Sequence, residues 1–327
     1  MRISKERLFS VAEVTGFRAE VLEKAIHLLN LLEGFRKHPF LKNRLALKGG
    51  TALNLFLFDL PRLSVDIDLN YVGAVEREVM LAERPKLEEA IRAVCEREGF
   101  TIRRMPTEHA GGKWLLHHES ILGQGANLEV DLNFMFRVSL WPTNTKDSRE
   151  VGPYQARQIP ILDIHELAAG KLAALLGRHA SRDLFDAHQL LTQGDLDRRR
   201  LRLAFVVYGA MNRRDWRTVS QSDVDFEADE LEDLLFPTLR RSSIAEIGEV
   251  DTWATHLADE CRQALGVVLP FSDSEREFLD RLLDHGEIEP SLLTKDPQVA
   301  ERIRQHPGLE WKAINVRRYK GRPQASA

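Results

Sequence analysis

The chain has 327 residues, 43% of them hydrophobic, and a net charge of −4. That is enough length for two cored domains, and the charge excludes a general attraction for polyanions, so any nucleic-acid binding must come from local basic clusters. No apolar run reaches the roughly 18 residues that span a bilayer, and the only cysteines, Cys95 and Cys261, form neither a disulfide framework nor a zinc site; a cytoplasmic protein without membrane association is expected.

In chain order, Val21, Leu22, Ala25, Ile26, Leu29 and Leu32 recur at helical spacing, which predicts an amphipathic helix from Arg18 to about Phe35. Leu45 to Leu47 reads as a short buried strand, Gly49 and Gly50 as a turn, and Thr51 to Phe58 as a helix that Pro61 forbids from continuing. Val65 to Tyr71 alternates, with Val65, Ile67 and Leu69 on one face and Asp66, Asp68 and Asn70 on the other. Pro85 is a natural first-turn residue, so a helix is expected from there to about Glu98. Strands are expected at Phe100 to Met105, Lys113 to Leu122 and Asn127 to Phe136. The last repeats the alternation, so Asp131 shares a face with Glu129 and Asn133 and would lie beside Asp66 and Asp68 if the two strands are neighbours.

Trp141 to Pro160, with Pro142, Gly152 and Pro153, reads as a linker between two parts, 1–160 and 161–327. Asp163 followed by Glu166 reads as a capping box for a helix that carries Lys171. A further helix begins near Ser181 with Arg182, Asp183 and Asp186, and the remainder is helical and charged. Three basic clusters stand out: Arg198, Arg199, Arg200 and Arg202; Arg213, Arg214 and Arg217; and Lys312, Arg317, Arg318, Lys320 and Arg322. Taken singly, each reads as a solvated face.

Two aspartates one residue apart on a strand hold hard oxygen ligands side by side, the donors that Mg²⁺ prefers, and a third from an adjacent strand would complete a site for ions roughly 3.5–4 Å apart. A glycine turn opening a helix lets phosphate approach backbone donors, to which the Thr51 hydroxyl adds another. Lys171 and Arg182 would neutralise a leaving pyrophosphate, oriented by Asp183 and Asp186 on one helical face. Each feature alone also reads blandly: an Asp-x-Asp is usually a polar strand face, Gly-Gly a turn, Lys171 a snorkelling helix lysine. Their conjunction favours nucleotide chemistry. Zinc-protease, P-loop and serine-hydrolase signatures all fail, since position 169 is Ala, Leu172 follows Gly170-Lys171 inside a helix, and no Gly-x-Ser-x-Gly occurs.

The blocks LKGGTALNLF, LPRLSVDIDL, EVDLNF and HELAAGKLAALLGRHASRDLFDAHQL, within Leu45 to Leu191, resemble the AbiEii/AbiGii nucleotidyltransferase toxins of the DNA-polymerase-β-like superfamily, a group that includes MenT-type enzymes. The resemblance implies an α/β (α+β) fold, a mixed sheet flanked by helices in 1–160 followed by a helical domain in 161–327 with a second active-site cluster. It implies Mg²⁺ or Mn²⁺ and an NTP, transfer of NMP to an RNA acceptor such as a tRNA 3′ end, a cognate antitoxin, and a role in growth arrest or phage defence. Carried over, Asp66 and Asp68 become metal ligands with Asp131 as the third. Gly49, Gly50 and Ser64 become the phosphate side of the pocket with Arg62 as a phosphate contact, and Lys171 with Asp183 or Asp186 the second cluster; Lys48, Thr51 and Arg182 are further nucleotide-binding candidates beside them. The alternatives are a small-molecule or protein acceptor, and a nucleotide-binding protein without turnover.

Overall fold

The two alternating segments become neighbouring strands of one sheet. The computed structural model describes residues 3–108, 110–178 and 181–320, and the chain clusters into two compact units. The first comprises 1–137, 143–162 and 228–253; the second comprises 138–142, 163–227 and 254–327.

The first unit holds a seven-stranded mixed sheet: β1 (Leu45–Lys48), β2 (Asp66–Tyr71), β3 (Thr101–Arg104), β4 (Gly111–Glu119), β5 (Gly125–Asn133), β6 (Asn144–Lys146) and β7 (Ile159–Ile161), in the order β3-β4-β5-β2-β1-β7-β6. The central pair β2 and β5 is parallel, whereas β2 runs antiparallel to β1 and β5 antiparallel to β4. Helices α1 (Lys5–Thr15), α2 (Ala19–Lys37), α3 (Gly49–Ala52) and α4 (Arg77–Arg97) accompany it. Leu22, Ile26 and Leu29 of α2 are buried together with Ile67, Leu69, Val130 and Leu132 of the central strands, so the apolar half of each alternation forms the core. The segment from α8 (Ala228–Glu230) through α9 (Arg241–Ile247) rejoins this unit, where the Leu63 amide donates to the Thr238 carbonyl at 2.9 Å and the Arg241 amide to that of Gly16 at 3.0 Å.

Three elements depart from the sequence expectations. The helix expected from Pro85 starts at Arg77 and keeps Pro85 inside it. Pro85 deprives the helix of one backbone donor, but the turn before it is anchored, because Glu83 accepts two bonds from Arg44 at 2.8 Å and one from the Tyr71 hydroxyl at 2.7 Å. The expected linker from Trp141 to Pro160 contains β6 and the start of β7, since Ile159 and Ile161 bury their side chains on a strand paired between β1 and β6 and the Leu162 amide bonds to the Leu47 carbonyl. The helix expected from Thr51 begins at Gly49 and continues as a π-turn from Leu53 to Leu57.

The second unit is helical: α5 (Ile164–Arg178), α6 (Ser181–Gln193), α7 (Arg198–Ala210), most of α10 (Val250–Ala264), α11 (Asp273–Asp280), α12 (Pro297–Arg304) and α13 (Pro307–Lys320). Its core gathers Leu172, Leu176, Leu184 and Leu201 with an aromatic group in which Phe205 lies 5.2 Å from Trp216 and 6.0 Å from Phe271, ring centre to ring centre. Among the described residues, no helix is long and apolar enough to cross a membrane.

Candidate active site

Strand register assembles a charged row across the polar face of the sheet. Lys48 of β1 stands opposite Asp68 of β2, Asp68 opposite Asp131 of β5, and Asp131 opposite Lys113 of β4. In the next row Asp66 faces Glu129, and Lys113 reaches diagonally to Glu129 at 2.6 Å. Side chains two residues apart on a strand share a face. The four carboxylates therefore form a two-by-two array, half-buried, with a lysine at either side of one row.

Spacing limits what this array can hold. Neighbouring strands lie about 4.8 Å apart and alternate residues about 6.6 Å apart along one strand. Accordingly, the ligand oxygens of Asp66, Asp68 and Asp131 do not all fall within 4.8 Å of one another. That breadth suits a pair of ions sharing ligands better than one ion enclosed by three. Burial raises the carboxyl pKa of Asp131 above its ordinary value; Lys48 opposes the shift, Asp68 reinforces it, and Lys113 opposes it. Burial thus disfavours the charged form of Asp131, a cost that a bound hard cation would offset.

Beside this array, β1 turns into α3. Gly49 has φ +72°, and a Cβ there would lie 2.1 Å from Oδ2 of Asp68. Only glycine combines that backbone with that approach. Lys48 is the N-cap and supplies no side-chain acceptor to the first turn, leaving the amides of Gly49 and Gly50 to other partners. Thr51 is fully buried and its hydroxyl donates to the Asp66 carbonyl, so it ties the helix start to β2 instead of offering a donor outward. Arg62 is 3% exposed, donates to the Leu63 carbonyl at 3.1 Å and bridges to Leu239. Ser64 is also buried, two residues before Asp66.

In the second unit, Lys171 of α5 bonds Asp183 at 2.8 Å and Asp186 at 2.9 Å on α6, with side chains only 10%, 4% and 0% exposed. Arg182, between them in sequence, is half-buried. The expected capping box does not form. Asp163 does take the His165 amide at 3.0 Å, but Glu166 accepts the Leu140 and Trp141 amides and the Tyr208 hydroxyl instead. Complete burial pushes the Glu166 carboxyl up to about 7.

The basic clusters are largely committed to the fold. Arg200 pairs with Asp163 at 3.0 Å and stacks over Trp141, Arg202 pairs with Glu275, and Arg214 with Asp223 at 2.9 Å. Arg217 bridges Asp215, Asp280 and Asp284, while Lys312 and Arg317 donate to the Asn212 and Gly286 carbonyls. Arg198, Arg199, Arg213 and Arg318 are exposed. Arg322 lies outside the described residues, as does the side chain of Lys320. Reading the sequence alone did not single out Lys113; a lone lysine in a strand carries no signal until register places it opposite Asp131.

Comparison with known proteins agrees with this picture. The model of a family described as nucleotidyl transferase AbiEii toxin, type IV toxin–antitoxin system, matches residues 30–312. Among solved structures, MenT4, a nucleotidyltransferase toxin from Mycobacterium tuberculosis H37Rv, aligns with a TM-score of 0.58 at 18% identity, over 94% of this chain and 98% of that one. At that identity the likeness is one of fold. None of the curated proteins matches the sequence.

Proposed function

This chain belongs to the AbiEii family of nucleotidyltransferase toxins of type IV toxin–antitoxin systems, and from that premise we propose that it transfers NMP from an NTP to the 3′ hydroxyl of an RNA, namely a tRNA, and so arrests translation and growth until a cognate antitoxin counters it. The observation that carries the reading is the register that sets Asp68 beside Asp131 with Gly49 pressed against Asp68. Asp66, Asp68 and Asp131 would hold Mg²⁺ or Mn²⁺, which when bound neutralises triphosphate charge and makes the acceptor hydroxyl more nucleophilic.

The other steps belong to side chains and backbone. The acceptor oxygen attacks the α-phosphorus in line, the bond to pyrophosphate breaks, and the acceptor proton passes to Asp131, the carboxylate that register sets beside Asp68. Gly49 and Gly50 present amides to the phosphates, and Lys48 offsets charge at the same edge. Thr51 holds the two halves of this element together, with Arg62 and Ser64 supporting the same nucleotide side. In the second unit, Lys171, held by Asp183 and Asp186 and with Arg182 alongside, forms a phosphate-handling cluster in its own right.

A specific observation favours a second reading, transfer to a small molecule or a protein side chain. Arg200, Arg202, Arg214, Arg217, Lys312 and Arg317 all make internal bonds, which leaves fewer cations for an RNA backbone. The test is to incubate the protein with total RNA and each labelled NTP in Mg²⁺, with Asp68→Ala alongside. Label entering tRNA only with the unmutated protein supports the first reading. Label in protein or small molecules supports the second, and no label with any acceptor refutes both in favour of nucleotide binding without turnover.

A further inference from the structure

A second group of metal-ligating side chains lies within the first unit, away from the carboxylate face. Glu23 and His27 stand one helical turn apart on α2, and His118 lies on β4. Ligand atoms of all three fall within 4.8 Å of one another, the only such trio of His, Cys, Asp or Glu among the described residues. An i, i+4 pair projects from one helix face, so two ligands come from one rigid element and the third from the sheet beneath it.

The trio is sheltered and its orientation is fixed. Glu23 is 2% and His118 5% exposed, while the His27 side chain keeps a 20% opening. The Ser120 hydroxyl donates to one carboxylate oxygen of Glu23 at 2.6 Å and the Ile121 amide to the other at 2.9 Å, the kind of outer support that aims a carboxylate ligand. Each oxygen retains a lone pair. The His27 and His118 rings lie 4.4 Å apart, and both pack edge-on against Phe100, at 5.4 and 5.2 Å.

A pair of core histidines stacked on a phenylalanine would account for the rings but not for their nitrogens. Both ring nitrogens of His118 are buried without a hydrogen-bond partner, a costly condition that native interiors avoid. Two nitrogens and one carboxylate oxygen make a ligand set typical of Zn²⁺, and ligands at tetrahedral bond lengths of about 2.0–2.2 Å stand roughly 3.3 Å apart.

The trio is distinct from the site proposed for nucleotide transfer. His118 and Lys113 are an odd number of residues apart on β4, so they project to opposite faces of the sheet, and five steps along the strand separate them by about 16 Å. We propose that Glu23, His27 and His118 bind Zn²⁺ and clamp α2 to the end of β4, with the opening at His27 admitting the ion and a fourth, solvent ligand.

Cobalt serves as the probe. The full chain, stripped with a chelator, is titrated with Co²⁺; visible ligand-field bands should saturate at one equivalent and vanish on adding one equivalent of Zn²⁺, and Zn²⁺ should raise the melting temperature. Asp66→Asn/Asp68→Asn should keep the bands, and His27→Gln and His118→Gln should lose them with the far-ultraviolet circular dichroism unchanged. Absence of bands in the unmutated chain overturns the proposal, as does their survival in both histidine variants or their loss in the aspartate variant. Should the histidine variants fail to fold, the unmutated chain and the aspartate variant decide between the same outcomes.

Discussion

Replacing Gly49 with alanine would insert a methyl group into the wall of the carboxylate face. At φ +72° an L residue costs about 1–2 kcal/mol, and the new Cβ would lie 2.1 Å from Oδ2 of Asp68 where ordinary contact begins at 3.4 Å. The difference between these distances requires a retreat of about 1.3 Å by the carboxylate or the helix start. Misplacing a positioning group by about 1 Å costs roughly 100-fold in rate, so nucleotide transfer by Gly49→Ala should fall by about two orders of magnitude. Gly99 separates the two effects. It too has a positive φ, +91°, but a Cβ there meets nothing within 4 Å. Gly99→Ala should therefore lose a comparable amount of stability and keep its rate. Initial rates of labelled NMP incorporation, with melting temperatures of all three proteins, measure both. A wild-type rate in Gly49→Ala, or an equal loss of rate in Gly99→Ala, would refute the reasoning.

Two further perturbations test the buried charges. Asp131 has its carboxyl pKa raised chiefly by burial, so its contribution to stability is present below the unfolded value near 3.8 and is lost as pH rises through the folded one. Asp131→Asn should thus melt above the unmutated protein at pH 7, the gap closing as pH falls toward 3.8, while transfer drops by about 100-fold or more throughout; a lower melting temperature at neutral pH would contradict this. Lys171→Met leaves Asp183 and Asp186 buried without their cation and should destabilise the second unit by about 3–5 kcal/mol. Adding Asp183→Asn and Asp186→Asn should restore most of that loss in denaturant titrations, and a KM for NTP higher in this triple variant than in Asp183→Asn/Asp186→Asn with Lys171 intact would mark Lys171 as a nucleotide contact.

The carboxylate face of the first unit was legible because its signals are local. A period of two put Asp66 and Asp68 on one face and Glu129 and Asp131 on another without any knowledge of the fold, and both faces are as expected. Gly49 and Gly50 marked the helix start, off by two residues only because a glycine can itself occupy the first turn. Local signals also misled. Pro85 suggested a helix start that the distant Arg44 and Tyr71 override through Glu83. Glu166 suited a cap, but the amides of Leu140 and Trp141 claim it. The arginine runs read as solvated faces, but Arg202 and Arg217 pair with carboxylates far along the chain.

Residue type and short-range periodicity thus determined which chemical groups the protein carries and on which side of each element they stand, since both follow from backbone geometry within a few residues. Tertiary structure alone decided which groups meet. The parallel pairing of β2 with β5 sets Asp68 beside Asp131, antiparallel pairing brings Lys113 opposite, and the packing of α2 on β4 joins Glu23 and His27 to His118. The first and last of these meetings close loops of dozens of residues, the Lys113 pairing closes a hairpin, and the register of all three is chosen by the burial of the whole sheet, which no short window of sequence contains.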